Sequence, residues 1–209
     1  MRTFVFFCLG ITWTVDTVVR AQQVWEPPDV IRTLDPLPAP TIAREFIPRL
    51  SVARTNIVLE ETTMKEVHSR LGGMIGHRGD AAESLSWLCF QGTSSSGRWA
   101  LWLESGEIHG GTVGAFELHH VSAGAQFDAR CRVLSRNVVL PVNVQLGGRE
   151  PQVLTLLGNP TVRRDDVLVY VHEHEELIRG GPVSVSNVLE VVVRTGVVEA
   201  IRVWKTTVS

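Results

Sequence analysis

The spacing of apolar and polar residues changes period repeatedly along this chain. Val67 and Leu71 stand four apart, with Thr63 as a candidate N-cap, Glu66 completing a capping box and Gly72 placed to end the turn. This predicts a short helix. A second one is predicted at Glu150–Leu157, where Pro151 sits in the first turn and Val153, Leu154 and Leu157 form the apolar face. Gly158-Asn159-Pro160 stops it. After each helix the period falls to two. Val167, Val169 and Val171 alternate with Leu168, Tyr170 and His172, and β-branched residues dominate 189–193 and 197–204, with a turn at Thr195-Gly196.

The chain can be laid over itself. Met64–Gly72 matches Glu150–Gly158, Ser84–Phe90 matches Val167–Glu173, and Trp99–Ile108 matches Leu189–Val198, in the same order and at similar spacing. The fold class expected from this is α+β. It would consist of two tandem units, each a short helix or helix pair packed on an antiparallel sheet, repeat unit one at 51–118 and repeat unit two at 141–209, with a connector at 119–140. A unit of this size with one helix is marginal alone, so the copies should pack together.

A helix ending in Leu157-Gly158-Asn159-Pro160, a following strand bearing Tyr170, and a hairpin with Gly at its turn resemble an exported superfamily. It is that of the β-lactamase inhibitory protein and the small lipoprotein of the outer-membrane barrel-assembly machine. The likeness covers residues 51–209. It implies a habit of binding another protein, inhibitor-like or envelope-assembly-like, but names no partner. This chain has no lipidation cysteine and fewer cysteines than the inhibitor's disulfides need.

The N-terminus fits export. Arg2 precedes an apolar run from Thr3 to Val15, and Val19-Arg20-Ala21 offers a cleavage site before Gln22. The run of about 12 residues is short for a membrane span, and an uncleaved anchor is the alternative reading. Residues 1–21 are thus read as a signal peptide, and the protein as periplasmic or extracellular. Residues 22–50 form a Pro-rich extended lead, whose Trp25, Ile42 and Phe46 are able to dock locally. No later apolar run reaches membrane-spanning length, so no span is expected in the mature chain.

Composition narrows the function. A net charge of -2, or -3 once residues 1–21 are removed, lacks the basic excess of a nucleic-acid binder. No nucleophile elbow, phosphate loop, CxxC or HExxH occurs. The expectation is an exported, non-catalytic protein-binding module that needs no cofactor. The alternatives are a structural cell-envelope component and a metal-dependent hydrolase. In the hydrolase reading His172 and His174, two apart on a strand, would share a face and need a third ligand such as Glu176 or His119. Cys89 and Cys131, the pair left after signal removal, form either one disulfide or two buried thiols.

Alternation then proposes a binding face. If Val167, Val169 and Val171 face the helix, Tyr170 and His172 face away, and the duplication carries Trp87 and Cys89 to the same open side. In the next strand Leu189, Val191 and Val193 face in, leaving Glu190, Val192 and Arg194 outward and Trp102 with them. The expected contact surface is Trp87, Trp102 and Tyr170, with His172 and Arg194 at its margin. The competing reading is that the lead, the connector or the other copy covers these aromatics.

Overall fold

The structure is a computed structural model, and it describes residues 25–28, 48–80, 84–122, 124–125, 128–135, 138–140, 142–178 and 180–208. Residues 1–21, expected to be a signal peptide, and most of the Pro-rich lead lie outside the described residues. Strands β1 (Arg49–Val52) and β2 (Thr55–Val58) precede helix α1 (Met64–Leu71). Four strands follow: β3 (Ile75–Arg78), β4 (Leu85–Ser94), β5 (Gly97–Gly106) and β6 (Ala115–Val121). The short β7 (Arg132–Leu134) and β8 (Val138–Val139) come next. Helix α2 (Glu150–Leu157) is then followed by β9 (Val162–Arg164), β10 (Val167–Ile178), β11 (Gly181–Arg194) and β12 (Val197–Val208).

Both helices form where their caps are. The Thr63 hydroxyl accepts from the Glu66 N–H, and the Glu66 carboxylate accepts from the Thr63 N–H at 2.9 Å. These bonds hold the Glu66 carboxyl below its ordinary pKa, the backbone bond contributing most. In α2 the Gln152 side chain accepts from the Arg149 N–H, and Pro151 occupies the first turn. Gly72 and Gly158 end the two helices with positive φ, a region that favours glycine.

The α+β expectation is overturned. Of the described residues 57% lie in strands and 12% in helix, so the protein is mostly β. Nor does each half own a separate helix-covered sheet. Strands run in the order β3-β4-β5-β6-β12-β11-β10-β9 through one large antiparallel sheet, and β7 adds in parallel to β4. β6 and β12 join the halves, with Glu117 opposite Arg202 and Phe116 opposite Val203. A meander of four strands leaves an unpaired row of N–H and C=O groups at its edge, and pairing the last strand of each half satisfies both rows. Helices of eight residues are also too short to cover such a sheet.

On the first face the helices, a small sheet (β2-β1-β8) and Leu140, Val144 and Leu146 pack against Phe90, Leu101, Leu103, Phe116, Ile201 and Leu189 in one continuous core. Met64 and Val67 enter it from α1, and Val153 and Leu157 from α2. On the second face lie the other residues of the same strands. One row crosses six strands as Cys89, Trp102, Glu117, Arg202, Glu190 and Val169, each directly opposite the next.

Candidate functional site

The middle of that row is a charged ladder inside a sheet. Glu117, Arg202 and Glu190 sit on β6, β12 and β11, and Phe116-Glu117-Leu118, Ile201-Arg202-Val203 and Leu189-Glu190-Val191 explain how they get there. In each triplet the flanking apolar residues join the first-face core, so alternation sends the charge to the second face. Arg202 Nε lies 2.8 Å from Glu117 Oε1, an ion-pair contact whose N–H direction misses hydrogen-bond alignment. The Arg202 guanidinium also approaches Glu104 at 3.9 Å and lies 5.0 Å from the centre of the Trp204 ring.

All four charged groups are buried, with Glu117 only 1% exposed. Glu104, Glu117 and Glu190 share the surroundings of the Arg202 guanidinium. Burial pushes the Glu190 carboxyl up to about 7, against the pull of Arg202, while Glu117 adds to the rise and Arg164 opposes it. Its Oε2 has no hydrogen-bond partner among the described residues. Beside the ladder, His119 Nε2 lies 3.2 Å from Glu117 Oε2, and its ring meets Trp102 edge-on at 5.3 Å.

Trp87 and Trp102 do lie on the second face, but they are covered. Trp25 packs edge-on against Trp87 at 5.7 Å, and its carbonyl accepts a hydrogen bond from Trp102 Nε1. Both are almost fully buried, in a cluster with Leu85, Ala100, Val121 and the Cys89–Cys131 disulfide. Arg130 caps Trp25 at 4.7 Å and is itself held by Asp128, whose carboxyl that hydrogen bond keeps below its usual range. Gln91 Nε2 donates to the carbonyls of Asp128 and Cys131. The lead and the connector therefore cover these tryptophans, as the competing reading had it, and they cannot serve as free anchors.

Tyr170 is on the wrong side for the expected surface. It packs with Leu168 in the first-face core, its hydroxyl donating to the Gly158 carbonyl, and burial raises its pKa to about 12. His172, two residues on, takes the same first-face side at the far end of the sheet. The valines 169 and 171, expected toward the helix, instead form a second-face cluster with Val188. Arg194 does reach the second face. It pairs with Glu199 at 3.3 Å and lines a cavity of about 390 Å³ with Trp102, His119, His120, Glu199 and Pro28.

The residues considered for metal do not converge. The His172 and His174 rings are 5.0 Å apart, and His174 Nε2 meets Glu176 Oε1 at 2.9 Å, a bond that lowers the Glu176 carboxyl pKa. His119 is engaged with Glu117 on the other face. Among the described residues no group of three or more His, Cys, Asp or Glu side chains is arranged to hold a metal ion. Nor is any helix among them long and apolar enough to cross a membrane.

The ladder residues Glu104, Glu117 and Arg202, and the half-exposed Trp204, escape a reading that follows apolar periodicity alone. For Glu117 and Arg202 the sequence signal is a lone charge between two core residues. No family model matches the chain, and no curated protein or solved structure matches it either.

Proposed function

We propose that the chain is an exported, non-catalytic protein-binding module, and that the second face of its large sheet is the contact surface. The observation that carries this reading is the composition of that face. A ladder of buried charges is flanked by the partly exposed Trp204 and His119, and a cavity lined by Trp102, His119 and the exposed Arg194 lies on the same face. A sheet face required only for stability would be filled with apolar side chains, since desolvating Glu117, Arg202 and Glu190 is unfavourable. Tryptophan and arginine beside desolvated charge are characteristic of protein contact surfaces.

Export is supported by the N-terminal pattern and by a buried Cys89–Cys131 disulfide, a bond that persists in oxidising compartments. The resemblance to an exported superfamily of protein binders points the same way. Affinity capture from the exported fraction tests the proposal. The mature chain should recover a protein that Trp204→Ala fails to retain, and recovery unaffected by Trp204→Ala would reject this face. A single saturable partner would separate this module from a structural envelope component, which should bring several.

A further inference from the structure

The outer edge of β10 carries backbone groups that β9 leaves unpaired beyond Val169. β11 pairs with β10 along its whole length, but β9 pairs only with Val167–Val169. The Val171 N–H then points away from β11 and donates to the Thr161 hydroxyl. In an antiparallel strand, backbone groups alternate sides residue by residue. Glu173, Glu175 and Leu177 therefore direct their N–H and C=O groups outward, and among the described residues no strand pairs with them. Thr161 closes the paired part of this edge, and the free part begins directly after it.

The side chains along the free edge state what would pair there. Glu173, Glu175 and Leu177 share one side of the strand. Glu175 is exposed, Glu173 is half-buried beside Ser186, and Leu177 is 90% exposed. On the other side stands Glu176. Self-pairing with a second copy in antiparallel fashion would set these carboxylates against one another, and like charges directly opposite oppose pairing. An incoming strand with cationic side chains has the complementary charge.

We infer that the β10 edge from Glu173 to Leu177 accepts an extended, lysine- or arginine-bearing segment of a partner protein as an added strand. Main-chain hydrogen bonds would supply attraction, and Glu173 and Glu175 would select the charge. The inference does not depend on the second face being a contact surface.

The test uses the mature chain and a labelled seven-residue peptide alternating lysine with valine, followed by fluorescence anisotropy. Binding should weaken with salt. N-methylation of the peptide amides that face β10 should weaken it by about tenfold or more, because three backbone bonds are lost. The double variant Glu173→Lys/Glu175→Lys should instead prefer a glutamate–valine peptide, and Trp204→Ala should change neither affinity. These variants alter exposed or half-exposed side chains, and unchanged thermal melts would confirm that they fold. Equal binding of the methylated peptide would reduce the effect to charge attraction and overturn the inference, as would no binding of any peptide. So would a dimer in sedimentation that Glu175→Pro dissociates, since the occupant would then be a second copy.

Discussion

Two regions of the large sheet have the same order of elements but close their second faces differently. In both a two-turn helix is followed by four antiparallel strands, β3–β6 in one and β9–β12 in the other. Over β4 and β5 the second face is sealed by parts from elsewhere in the chain: Trp25, the connector and the disulfide. Over β10 and β11 the cluster of Val169, Val171 and Val188 is joined, among the described residues, by Val162, Val167 and Trp204, all from the same four strands. Between them lies the ladder of Glu117, Arg202 and Glu190. One tryptophan, Trp102, is thereby built into the structure, while Trp204 in the other region stays half-exposed. The same residue type has two roles, and the covering segments decide which.

The largest effect should separate these two tryptophans. Trp102→Ala should destabilise the fold by about 3–5 kcal/mol, comparable to Leu101→Ala on the first face, because both leave a cavity. Trp204→Ala should cost clearly less, since its ring keeps solvent contact. Chemical denaturation of the three variants reads this directly, and equal losses for Trp102→Ala and Trp204→Ala would erase the distinction between the regions.

Opening the disulfide should come next. Cys89 and Cys131 are 42 residues apart, and in the loop-entropy model the bond contributes roughly 3–4 kcal/mol by restricting the unfolded chain. Reduction should therefore lower the melting temperature. It should also bring Trp25 out of its site, which tryptophan fluorescence would report as a shift to the red. Reduction that leaves both signals unchanged would show that the connector needs no staple.

Glu190 should set a pH dependence on the side of the ladder. Its folded pKa of about 7 lies above its ordinary 4.5, so between these values the folded state holds a proton that the unfolded chain releases. Stability should then fall as pH rises from about 4.5 to 7, by an amount on the order of 2–3 kcal/mol. Glu190→Gln should remove that slope and be more stable than the parent chain at pH 8. The smallest effect is expected at a helix. Thr63→Ala removes the N-cap of α1 at the cost of about 1 kcal/mol. A calorimetric change several times larger would mean that α1 matters more to the sheet than its two turns suggest.

Local features were the most legible. The Thr63–Glu66 capping box, the stop at Gly158 and the turn at Thr195-Gly196 each depend on residues a few positions apart, and each is present. Faces were read correctly in β11, where Glu190 marks the outward side between Leu189 and Val191. They were inverted in β10. Val169, Val171, Leu168 and Tyr170 are all buried, and a strand buried on both sides carries no alternation to read. The missing information was register: Tyr170 lies opposite Leu189, and that pairing alone fixes its face. The merger of the halves was hidden for a similar reason, since nothing local announces that β6 will pair with β12. The cover over Trp87 and Trp102 depends on Trp25, about 60 and 80 positions away in the chain, a contact no periodicity contains.

The most direct test of the second-face account is site-specific photo-crosslinking on the chain from residue 22 onward. A photoreactive side chain at Trp204 should yield a discrete protein adduct, and one at Ile108, which is 79% exposed on the short 3-10 turn after β5, should not. An adduct formed equally well from both positions, or from Ile108 alone, would contradict the assignment of the contact surface to this face.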